Sequence, residues 1–79
     1  MPTIASHPRP AGETLDTYFL EMRARLLEIG ATLDRIDRSA RPEEVAADPR
    51  LAFVREALAV LQSAGPERAR RIEELYSLK

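Results

Sequence analysis

At 79 residues, 44% hydrophobic and 32% charged, the chain has room for one domain with a thin core, and its composition is globular rather than disordered. Thirteen acids against 12 bases leave a net charge of −1 with neither half strongly charged, so bulk electrostatics favours neither nucleic acid nor an anionic membrane. There is no cysteine, which excludes disulfides, thiolate nucleophiles and cysteine-ligated metals.

Residues 1–13 carry Pro2, Pro8, Pro10 and Gly12 and read as a disordered N-terminal tail. No signal-peptide pattern is visible there, and no stretch approaches the ~20 apolar residues of a membrane span. A cytoplasmic location is the expectation. The remainder, residues 14–79, reads as a single helical domain.

Helix 1 is expected over about residues 15–38, with Thr14 as N-cap and Asp16 at the positive end of the helix dipole. Its apolar positions are Leu15, Phe19, Met22, Leu26, Ile29, Leu33, Ile36 and Ala40. They recur at alternating intervals of four and three residues and form a stripe about 100° wide, the signature of a core-facing helix. At 1.5 Å per residue this helix is roughly 36 Å long. A second stripe, Leu20, Ala24, Leu27 and Ala31, lies on the other side of the same helix and stops where Asp34 and Arg38 take over. Gly30 is the one residue that helix propensity disfavours, by about 1 kcal/mol against alanine. Close approach of a neighbouring backbone is the leading explanation, ahead of a slight bend or a ligand notch.

Pro42 with Glu43 and Glu44 can start a short helical turn in the connection that follows. Helix 2 is expected over about residues 49–64, opened by Asp48 as N-cap with Pro49 at the first helical position and closed by Gly65-Pro66. Leu51, Val54, Leu58 and Leu61 form its core stripe, and Phe53, Ala57, Val60 and Ala64 widen the apolar face. Helix 3, about residues 67–78, turns Ala69, Ile72, Leu75 and Tyr76 inward. The fold expected is all-α: a small antiparallel helical bundle, one long helix packed against two shorter ones.

Candidate chemistry is sparse. His7 is the only histidine and lies in the tail. Bundle di-iron sites require Glu-x-x-His, which is absent. Glu21–Arg25, Asp34–Arg38 and Glu67–Arg71 instead have the spacing of helix-surface ion pairs. The run Asp34-Arg35-Ile36-Asp37-Arg38, with Asp48-Pro49 beyond it, is similar to the first helix of short helical chorismate mutases, which carry an Ile-Asp repeat and an Asp-Pro before their second helix. That family needs several arginines and a lysine converging on a dicarboxylate. Here the two elements stand too close in sequence and the only lysine is Lys79. The run therefore reads as a salt-bridged helix end.

No enzyme activity, cofactor or metal is expected. The functional lead is the second stripe of helix 1, which either helix 3 or a partner must cover. Leu20, Ala24, Leu27 and Ala31, with Phe53 and Val60 as further anchors, form the candidate interaction surface. A homodimer or another protein is the expected partner. Arg68, Arg70 and Arg71 form the only basic cluster and the alternative lead, a nucleic-acid-associated regulator, but Glu67, Glu73 and Glu74 interleave them. An accessory subunit of a separately encoded enzyme is the third reading.

Overall fold

The computed structural model describes residues 8–76. Three α-helices and one 3-10 turn follow in order, with no strand among the described residues: α1 (Ala11–Asp37), a turn over Pro42–Val45, α2 (Pro49–Gln62) and α3 (Arg68–Leu75). The all-α expectation holds. The described chain divides into two compact units at the Ser39–Ala40 boundary.

The first unit is one helix. α1 has 27 residues, about 40 Å of rod. It begins at Ala11, four residues before the expected start, so residues 11–13 belong to the helix rather than to the tail. Pro10 accounts for the difference. Its carbonyl accepts the N–H groups of Glu13 and Thr14 at 3.0 and 3.1 Å, and a residue at this position needs no N–H of its own. Thr14 is therefore inside the helix and not its cap. Arg9 and Glu13 approach to 3.8 Å beside this first turn. At the other end the Arg38 N–H makes the last α-helical bond, to the Asp34 carbonyl; the Ser39 N–H then tightens to the Ile36 carbonyl at 3.1 Å and the Ser39 hydroxyl donates to the Arg35 carbonyl. His7 and Lys79 lie outside the described residues.

The second unit opens with the expected short turn at Pro42, preceded by Arg41 in the left-handed region at φ 54° and held by an Arg41–Glu44 ion pair of 3.1 Å. Asp48 then caps α2. Its Oδ1 accepts the Arg50 N–H at 2.8 Å, and the Arg50 guanidinium grips both carboxylate oxygens at 3.0 and 2.8 Å. These side-chain and backbone hydrogen bonds from Arg50 hold the Asp48 carboxyl at about 2, below its ordinary value of 3.8. A depressed carboxyl stabilises the fold above its unfolded pKa and loses that contribution as pH falls towards the folded one. Asp48→Ala is thus expected to lower the thermal midpoint of α2 at neutral pH, and to remove part of the loss of stability that wild type shows between about pH 4 and pH 2. Circular dichroism melts across that range check both effects.

α2 ends at Gln62, two residues short of the expected limit. The Ser63 N–H and hydroxyl both turn back to the Val60 carbonyl, at 3.0 and 2.6 Å. Gly65 follows at φ 105°, a conformation that side chains rarely adopt, and Glu67 is left-handed at φ 63°. This corner, together with Pro66, delays α3 to Arg68. α3 packs back on α2. The Phe53 and Tyr76 rings stand 5.2 Å apart at 46°, while Val54, Ala57, Leu58, Val60 and Ile72 are half-buried. What is established of the expected three-helix bundle is its all-α composition and this α2–α3 pairing. No described side chain is fully buried.

Candidate functional site

The candidate surface divides between the units. Leu20, Ala24, Leu27 and Ala31 lie on α1 and are exposed, Leu20 to 74% and Leu27 to 56%. Phe53 and Val60 lie on α2, in the second unit. Phe53 packs on Tyr76, and Val60 is half-buried with its carbonyl engaged by Ser63. Sequence spacing showed that α2 was apolar over half its circumference, but not that α3 would take up the Phe53 side.

The first stripe of α1 is exposed as well. Leu15, Phe19, Met22 and Leu26 show 48–58% of their surface, and Ile29 shows 38%. Leu33 and Ile36 are half-buried. Phe19, Met22, Arg23, Leu26 and Leu27 line a shallow groove of about 440 Å³ that joins the two stripes. The Arg23 stem bridges apolar ground there, as long cationic side chains commonly do. Glu21 and Arg25 form the expected ion pair at 2.7 Å on the polar side. Asp34–Arg38 and Glu67–Arg71 are not ion pairs in the structure. Arg38 serves through its backbone at the C-cap, and Glu67 bonds Arg70 instead.

Gly30 was expected to mark a close neighbour. A Cβ built there meets nothing within 4 Å, so the glycine leaves open space on α1 rather than accommodating a contact.

The arginine cluster is absorbed into the corner between α2 and α3. Arg70 holds Glu67 at 2.7 Å and Glu74 at 3.4 Å. The Arg68 Nε donates to the Ser63 carbonyl at 3.0 Å, and the Arg71 guanidinium donates to the Ser63 hydroxyl at 3.1 Å. Ser63 is thus the hub of this corner. A serine two residues before Gly-Pro was the available signal. These bonds pin three guanidinium groups to their own chain, which weakens the case for a free phosphate-binding patch.

Among the described residues no helix is long and apolar enough to cross a membrane. No protein-family model, curated protein or solved structure matches the chain.

Proposed function

We propose that this protein is a small non-catalytic interaction module that self-associates through α1. One observation carries the reading. α1 forms a compact unit by itself, and it presents eight large apolar side chains, Leu15 to Ile29, each at least 38% exposed. Contiguous apolar surface of that kind on a soluble chain marks an interaction site. A lone helix gains little stability from propensity, so burying this surface against a partner is what would hold it folded.

The stripe Leu20, Ala24, Leu27, Ala31 is the flank most open to a partner, since Leu20 is the most exposed of the large apolar side chains. Multi-angle light scattering tests the proposal on wild type and on the double variant Leu20→Glu/Leu27→Glu. Wild type is expected to run as a multiple of the 8.9 kDa chain, and the double variant at lower mass. Concentration-independent monomers for both, with equal thermal stability, would overturn the proposal.

A further inference from the structure

We draw no further inference here: the strongest candidate, the apolar face of α1 with its shallow groove at Phe19, Met22, Leu26 and Leu27, carries nothing beyond the self-association already proposed, because nothing in the structure shows what covers it.

Discussion

Leu26→Asp is expected to cost the protein about half of its helical circular dichroism signal. Leu26 stands in the middle of the first stripe, 58% exposed, and lines the groove between the two apolar faces. α1 contributes 27 α-helical residues against 14 in α2 and eight in α3, more than half of the total. Helices without tertiary partners are marginal in water even at favourable composition. α1 also carries Gly30, which costs about 1 kcal/mol against alanine. If association holds α1 folded, a carboxylate in the buried stripe opposes both association and the helix, because an unpaired charge cannot be moved into an apolar interface cheaply. The remaining signal should come from α2 and α3. Undiminished ellipticity at the wild-type mass would count against that stripe.

Phe53→Ala is expected to destabilise the α2–α3 pair by about 2 kcal/mol in a urea titration, the lower side of large-to-small aromatic losses because the ring is only half-buried. The ring closes the open end of the α2–α3 pair, opposite the Gly65 corner, in tilted contact with Tyr76, and the unit has no fully buried side chain to compensate. A unit of this size sits near the lower limit of independent stability, so a loss of that magnitude is a large fraction of the whole. Arg68, Arg71 and Ser63 would still tie the corner. The expected result is therefore a weakened α2–α3 pair with α1 association unchanged, which separates the two units experimentally. A wild-type urea midpoint would show that the Phe53–Tyr76 contact contributes little.

Much of this was legible in the chain itself. The four-three spacing of Leu15 to Ile36 located α1, and Asp48-Pro49 marked the start of α2 to the residue, because a side-chain acceptor followed by a fixed φ is close to a local rule. The boundaries that moved were those decided by backbone bonds. Pro10 looked like a helix breaker, yet its carbonyl accepts the first helical bonds. Ser63 ended α2 ahead of the glycine that was expected to do so. Ion pairs were legible only in part. Glu21–Arg25 formed, while Asp34 and Arg38 have the same spacing but fall where α1 unwinds. The surroundings of Phe53 were hidden for a similar reason. Phe53 and Leu20 look alike by spacing, and only the fold of α3 onto α2 shows that Phe53 meets Tyr76 while Leu20 is exposed.

The most direct measurement is the far-ultraviolet ellipticity of the full wild-type chain followed through about a thousandfold dilution. If other copies cover the apolar faces of α1, mass action requires helicity to decline with dilution as the assembly dissociates. A spectrum that stays constant per residue over the whole range would mean that α1 is held without other copies, and would contradict the account.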